Sequence, residues 1–157
     1  MNTFLRGNLK SALVPDAQGR VPANPTNNNA YTGAAPIRML TFAEYNFIRA
    51  EHALRYGAGA LAAQPFFQAG IRASMTMAGV STAQQDAYIL ANGLLDGLTL
   101  NANVEKIITQ KYIANYGVAL EPWNDWRRTG YPTLQAVDAS VAAMTGGIPT
   151  RCLQMAK

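Results

Sequence analysis

Residues 121–132 contain the side chains of this chain that are best suited to chemistry. Their sequence is Glu-Pro-Trp-Asn-Asp-Trp-Arg-Arg-Thr-Gly-Tyr-Pro. Glu121 and Asp125 offer two carboxylates, the groups that a glycosidase uses. At this spacing both would lie one turn apart on a single helix, whereas a glycosidase places its carboxylates on either side of the scissile bond. No nucleophile, general base or metal cluster accompanies them, so the sequence predicts no catalytic residue, no metal site and no cofactor.

The tryptophans and arginines of this segment have two readings each. Trp123 and Trp126 could stack on sugar rings, but three positions apart they share one side of a short helix, and we expect them to pack on the preceding helix. Arg127 and Arg128 could bind a carboxylate of a ligand or partner. Because Asp125 lies three residues before Arg128, we expect local ion pairing, which contributes only ~0–1 kcal/mol when exposed.

Three further residues are candidates by type. His52 is the single histidine, and on an alanine-rich helix we expect it to be a packing residue. Glu51 and Arg55 have the spacing of an ordinary surface pair on a helix. Cys152 is the only cysteine and has no partner for a disulfide or redox pair, so an inert thiol is predicted.

The best candidates for ligand binding lie in an early loop. Residues 14–36 are rich in proline, glycine and asparagine, which excludes a long helix or a central strand. Within it, Asn27 and Asn28 offer paired donors and acceptors for hydroxyl groups, and Tyr31 offers a stacking face with a polar tip. The alternative is a solvated surface loop.

Helical patterns begin after this loop. Thr41 and Glu44 are spaced as a capping box for a first helix that should end at Tyr56. A second helix is predicted from about Gln64, with Pro65 in its first turn and a glycine past its end. Ser81 and Gln84 should cap a third, shorter helix ending near Asn92.

The next two helices should position the segment described first. The fourth is predicted to start at Asn101 or Asn103 and to end at Gly117. One line along it carries Val104, Ile107, Ile108, Lys111 and Asn115. A short fifth helix should run from about Pro122 to Arg128.

Paired helices joined by short glycine-bearing turns predict an all-α fold, a tetratricopeptide-like αα-hairpin array with a long irregular N-terminal loop. Ala63 and Phe67 match the Ala-x3-Phe spacing of a tetratricopeptide second helix. Gly70 within that helix indicates a close helix crossing. The predicted divisions are an irregular segment 1–40, a helical region 41–132 and an irregular tail 133–157.

Composition excludes several classes of protein. With 49% hydrophobic and 14% charged residues, the 157-residue chain is not disordered. The net charge is +4, but the basic residues are scattered, so nucleic-acid binding is not expected. No stretch approaches the ~20 apolar residues of a membrane span, and residues 1–10 lack the apolar core of a secretory signal.

The run from Leu40 to Pro149 resembles the C-terminal part of the SusD/RagB family. The similar motifs are Leu-Thr-Phe-Ala-Glu-Tyr-Asn-Phe-Ile-Arg-Ala-Glu-His-Ala-Leu (40–54), Phe-Phe-Gln-Ala-Gly-Ile-Arg-Ala-Ser (66–74), Glu-Lys-Ile-Ile-Thr-Gln-Lys (105–111), Trp-Arg-Arg-Thr-Gly-Tyr-Pro (126–132) and Gly-Gly-Ile-Pro (146–149). The tryptophan- and arginine-rich motif is expected to have a structural role in the family. The residues of this motif here are Trp123, Asp125, Trp126, Arg127, Arg128, Gly130, Tyr131 and Pro132.

This resemblance implies a non-enzymatic, outward-facing lipoprotein of the cell outer membrane in Bacteroidetes. Such a protein binds glycan or another nutrient and sits on a SusC-type TonB-dependent transporter, which its tetratricopeptide helices contact. Its lipid anchor would lie upstream of this chain, and ligand sites lie mostly in loops and in segments that would precede Met1. The alternative is an interaction scaffold that docks a partner and binds no ligand.

The end of the chain departs from the family. After Arg151 the family continues with Pro-Tyr-Pro and an asparagine-rich tail, whereas this chain continues Cys-Leu-Gln-Met-Ala-Lys. We therefore expect a tail truncated relative to the family and only a C-terminal portion of the parent protein. Apolar helix faces would then be exposed, so self-association is expected.

Overall fold

A computed structural model of the protein describes residues 38–118 and 120–135. Within these ranges every regular element is an α-helix, which confirms the predicted all-α class. The five helices are α1 (Phe42–Tyr56), α2 (Ala60–Met77), α3 (Thr82–Asn92), α4 (Leu100–Ala114) and α5 (Glu121–Thr129). The predicted irregular segments 1–40 and 133–157 lie mostly outside the described residues.

Helices α1 and α2 form an αα-hairpin joined by three residues, and they pack more extensively on each other than any other pair. Phe47 of α1 meets Phe67 of α2 edge to face, with ring centroids 6.2 Å apart. Gly70 lies against the Phe47 ring, and a Cβ placed there would approach three ring atoms to 2.8–2.9 Å. The close crossing predicted from this glycine is confirmed.

The predicted start of α2 is wrong. The helix begins at Ala60, and Pro65 lies inside it rather than in a permissive first turn. An internal proline costs about 3 kcal/mol because it removes a backbone hydrogen bond. Tertiary burial offsets this cost: Ala63 is fully buried and Ala60 packs against the core.

Gln64 also anchors this extra turn of α2. Its amide nitrogen donates to the Gly93 carbonyl, and its amide oxygen accepts from the Leu95 N–H at 2.8 Å. The side chain thereby satisfies two backbone groups of the segment between α3 and α4. The start of α2 is therefore fixed by contacts with residues about 30 positions later in the chain.

The helix caps agree with the predicted ones except at the starts of α1 and α4. Ser81 and Gln84 form the predicted capping box of α3. At α1 only half of the predicted box forms: the Thr41 hydroxyl accepts from the Glu44 N–H at 3.1 Å, whereas the Glu44 carboxylate turns toward a buried lysine. A buried cation is the stronger partner for a carboxylate that is itself buried.

Helix α4 begins at Leu100, one residue before the earlier of its two predicted starts, and ends at Ala114 rather than at Gly117. Thr99 caps the helix by accepting from the Ala102 N–H at 3.1 Å. The Asn103 side chain instead bonds both backbone groups of Gly97, at 2.8 and 3.1 Å. It therefore secures the preceding loop rather than the helix end.

One apolar core joins α1, α2, α3 and α4. Both residues of the tetratricopeptide-like Ala-x3-Phe match, Ala63 and Phe67, have no exposed surface. All five members of the predicted line along α4 are buried. The buried apolar side chains are Ala43, Phe47, Ala50, Leu54, Ala63, Phe67, Ile71, Ile89, Leu95, Val104, Ile107, Ile108 and Ala114.

Helix α5 begins and ends within one residue of its predicted bounds. Gly130 ends it in the left-handed region with φ 78°, and its N–H donates to the Trp126 carbonyl at 2.7 Å. Tyr131 then packs against the core. Among the helices of the described ranges, none has the length and apolar content of a bilayer span.

Candidate functional site

A chain of six charged side chains connects α1, α4 and α5. We call it the ionic cluster, and its members are Glu44, Glu51, Arg55, Lys111, Asp125 and Arg128. Acids and bases alternate along it, so each carboxylate touches at least one cation. Because these three helices contribute its members, the cluster holds α5 against α1 and α4.

Lys111 is the buried centre of the ionic cluster. Its side chain is 6% exposed, and its Nζ lies 2.8 Å from Asp125 Oδ2 and 3.4 Å from Glu44 Oε1. The side chains of Glu44 and Asp125 are buried to a similar degree. A charged residue on the apolar line of α4 requires such partners, because an unpaired buried charge is very costly.

Arg128 connects α5 to α1. Its guanidinium donates to both carboxylate oxygens of Glu51, at 2.6 and 2.8 Å, and to Asp125 Oδ1 at 2.7 Å. The predicted local pair with Asp125 is therefore present. The pair with Glu51, 77 positions away, was not predicted. Glu51 also accepts from Arg55 at 2.8 Å and is buried, so the expectation of a surface pair was wrong.

The two arginines keep the Glu51 carboxylate ionised. Burial alone would raise the pKa of Glu51, but the hydrogen bonds and positive charges of Arg128 and Arg55 outweigh it. The pKa of Glu51 consequently lies below its ordinary value of 4.5. For Arg128, the hydrogen bond to Glu51 raises the pKa, so this cation is permanent at any pH at which the protein folds.

Replacing Glu51 with glutamine should flatten the acid limb of the stability curve. A carboxyl whose pKa is lowered by folding stabilises the protein above its unfolded pKa, and that contribution is lost as pH falls through the folded pKa. Between about pH 6 and pH 3 the free energy of unfolding of the wild type should therefore fall more steeply than that of Glu51→Gln. Urea titrations across this range measure both slopes.

Glu105→Gln provides the control for this comparison. Glu105 lies on α4 outside the ionic cluster, and within residues 38–118 and 120–135 its carboxylate has one contact, with Thr133 at 3.4 Å. Its replacement should leave the acid limb nearly unchanged. Equal slopes for Glu51→Gln and the wild type would contradict the assigned role of Glu51.

A cleft between α1 and α5 is lined in part by the ionic cluster. We call it the α1–α5 cleft; its volume is about 630 Å³. His52 lies on its α1 side and is exposed, with its ring centroid 5.5 Å from that of Tyr56. The expectation of a packing histidine was wrong, because His52 faces away from the alanine-lined contact with α2.

The two tryptophans of α5 stack on each other. Their ring centroids are 5.6 Å apart with planes 27° from parallel, and both side chains are half-buried. Neither indole is among the half-buried side chains that pack against the apolar core, and α4 contributes residues to that core. Arg127 is exposed.

The loop candidates Asn27, Asn28 and Tyr31 lie outside the described residues, so their ligand-binding role stays a prediction. The described part of the chain contains no group of three or more histidine, cysteine, aspartate or glutamate side chains that could hold a metal ion. The sequence indicated the pairs Glu51–Arg55 and Asp125–Arg128, but not the contacts of Lys111 and Arg128 that join them into one cluster. A lysine on the buried line of α4 was the available signal.

Residues 10–153 match the SusD-like family described as "Starch-binding associating with outer membrane". The chain belongs to this family. The family is one of outer-membrane-associated proteins and is named for binding rather than for catalysis. No curated protein matches the chain.

Solved structures of SusD-like proteins are similar to this chain. A Bacteroidetes AC2a SusD-like protein is 33% identical over 71% of this chain and 23% of its own, with a TM-score of 0.61. A SusD homologue from Bacteroides thetaiotaomicron is 26% identical over 88% of this chain and 38% of its own, with a TM-score of 0.58. A chitin-binding SusD homologue from Flavobacterium johnsoniae is 27% identical over 92% of this chain and 39% of its own, with a TM-score of 0.52. The chain thus spans well under half the length of these relatives.

Proposed function

We propose that this chain is part of a glycan-binding component of a SusC/SusD-type TonB-dependent uptake system, facing outward from the outer membrane. The observation that carries the proposal is the family match over residues 10–153. The likeness to a chitin-binding homologue over 92% of the chain supports a glycan as ligand. Membrane attachment would come from a lipid anchor upstream of the helical region, as in the rest of the family.

Binding of glycans by the intact chain is the direct test. Isothermal titration against maltooligosaccharides, chitooligosaccharides and xylooligosaccharides should detect saturable binding to at least one series. The affinity should rise with chain length until the site is filled, because each added sugar buries more surface. Titration of the same oligosaccharides into the urea-unfolded chain serves as the control for non-specific heats. Absence of binding to all three series would contradict the proposal.

An interaction scaffold without ligand binding is the second candidate, and an exposed patch on α1 favours it. Phe42 and Tyr45 stack with centroids 6.2 Å apart, and the Arg49 guanidinium lies 5.4 Å from the Tyr45 ring and 3.9 Å from the Phe66 ring. Phe42 is 68% exposed. Exposed aromatics with an arginine are typical of protein interfaces. We propose that this patch contacts the SusC-type transporter.

Glycan binding, measured together with capture of the cognate transporter, separates the two candidates. A scaffold would retain the transporter and give no heat with any glycan, whereas the leading proposal requires glycan binding. Loss of capture on Phe42→Ala with Tyr45→Ala, but not on Leu90→Ala, would locate the contact on α1. Leu90→Ala is the control because Leu90 is 81% exposed on α3, so its truncation also removes exposed apolar surface.

A further inference from the structure

The α1–α5 cleft combines a rigid charged floor with unpaired polar groups at its edge. Glu51, Lys111, Asp125 and Arg128 of the ionic cluster contribute to its lining. Each of these four groups is held by at least two charged or hydrogen-bonding contacts. A floor fixed in this way loses little conformational entropy when a ligand binds.

Three polar groups lining the cleft have no partner among the described residues. They are the Glu121 carboxylate, the Asn124 side-chain amide and the Tyr56 hydroxyl, which form no hydrogen bond or ion pair there. A carboxylate offers two acceptor oxygens, and an amide offers a donor and an acceptor. This set can bind neighbouring hydroxyl groups, which both donate and accept.

An aromatic ring lines the same cleft. Tyr56 is 79% exposed, so most of its ring surface is open to solvent. His52 supports it, with planes tilted by 48°. A largely exposed aromatic ring can cover the C–H face of a sugar, while its hydroxyl still reaches a polar group.

The charges of the cleft favour a neutral ligand. Its lining carries three carboxylates and three cations. All three cations are paired with Glu44, Glu51 or Asp125, so the cleft presents no unneutralised positive charge to an anionic ligand. The unpaired carboxylate of Glu121 would repel a sugar acid.

We propose that the α1–α5 cleft binds a neutral hexose unit, with its C–H face on Tyr56 and vicinal hydroxyl groups on Glu121 and Asn124. This inference rests on the proposed glycan-binding function and assigns it to a place in the helical region. The ionic cluster acts as the support that holds α5, which carries Glu121 and Asn124, against α1, which carries Tyr56.

The single histidine of the chain makes the cleft directly observable. In the untagged chain the imidazole signals in a long-range proton–nitrogen NMR spectrum belong to His52 alone. Addition of a neutral oligosaccharide that binds should shift these signals along a saturation curve with the affinity seen by calorimetry. An oligogalacturonide, which carries a carboxylate on each sugar, should leave them in place.

Substitutions test the residue assignments. Tyr56→Ala should weaken neutral glycan binding by about tenfold or more, the effect of losing one stacked ring, whereas Tyr56→Phe should stay within about threefold of the wild type. Glu121→Gln should weaken it by about fivefold, because a charge-assisted hydrogen bond is lost. Tyr112→Ala is the matched control: Tyr112 is 38% exposed on α4 and does not line the cleft.

The outcomes separate this inference from the proposed function. Glycan binding that persists in Tyr56→Ala and Glu121→Gln, or that leaves the His52 signals unmoved, would overturn the cleft assignment and leave the glycan-binding function standing. Absence of binding by the wild type would overturn both. Stronger binding of the oligogalacturonide than of neutral glycans would overturn the assigned ligand class.

Discussion

Replacing Lys111 with methionine is expected to destabilise the protein by about 3–5 kcal/mol, the usual cost of removing one partner from a buried ion pair. Methionine fills much of the same volume, so the loss would be electrostatic. Glu44, whose side chain is 3% exposed, has Lys111 as its cation and would be left buried without a counter-charge. Asp125 would keep Arg128. Urea-induced unfolding followed by circular dichroism measures the change.

Lys106→Met is the matched control for this prediction. Lys106 lies on the same helix and pairs with Asp96, but its side chain is 40% exposed and that of Asp96 is 67% exposed. An exposed pair contributes about 0–1 kcal/mol, so its removal should cost no more than that. Adding Glu44→Gln to Lys111→Met should restore part of the lost stability by neutralising the orphaned carboxylate. A loss below about 1 kcal/mol for Lys111→Met would contradict the buried role of the cluster.

The second large effect concerns the contact between Phe47 and Gly70. Phe47→Ala should cost about 3–5 kcal/mol, because it removes a fully buried ring from the crossing of α1 and α2. Gly70→Ala alone should cost about 1–3 kcal/mol, since the added methyl group collides with that ring. In the Phe47→Ala background the same methyl group enters empty space, and alanine is the better helix former by about 1 kcal/mol.

Gly70→Ala should therefore change sign between the two backgrounds. It destabilises the wild type and stabilises Phe47→Ala, and the coupling free energy of the double-mutant cycle reports the contact. Leu61→Ala provides the reference for α2: Leu61 is 86% exposed, so its truncation should change stability by no more than about 0.5 kcal/mol. Additive effects of Phe47→Ala and Gly70→Ala would contradict the crossing described above.

Local sequence signals predicted most helix ends of this fold. Ser81 with Gln84 and the left-handed Gly130 mark helix ends through groups a few positions apart, so the sequence alone contains the whole interaction. The start of α2 could not be predicted in this way. The preference of Pro65 for a first turn is local, whereas the burial of Ala63 that overrides it depends on neighbouring helices.

The same distinction applies to the candidate site. The pair of Asp125 with Arg128 lies within one helical turn and was predictable. The bidentate contact between Arg128 and Glu51 depends on how α5 meets α1, which no local pattern specifies. His52 was assigned to a packing role because alanines surround it in sequence, but Ala50 and Ala53 belong to the core contacts while His52 is exposed and lines the cleft.

The stacked pair of Trp123 and Trp126 has a spectroscopic consequence. These are the only two tryptophans of the chain, and both belong to α5. The indole emission of the whole protein therefore originates from a single short helix, which the ionic cluster attaches to the rest. Tryptophan fluorescence will therefore report the attachment and release of α5, and it will not report changes confined to the hairpin of α1 and α2.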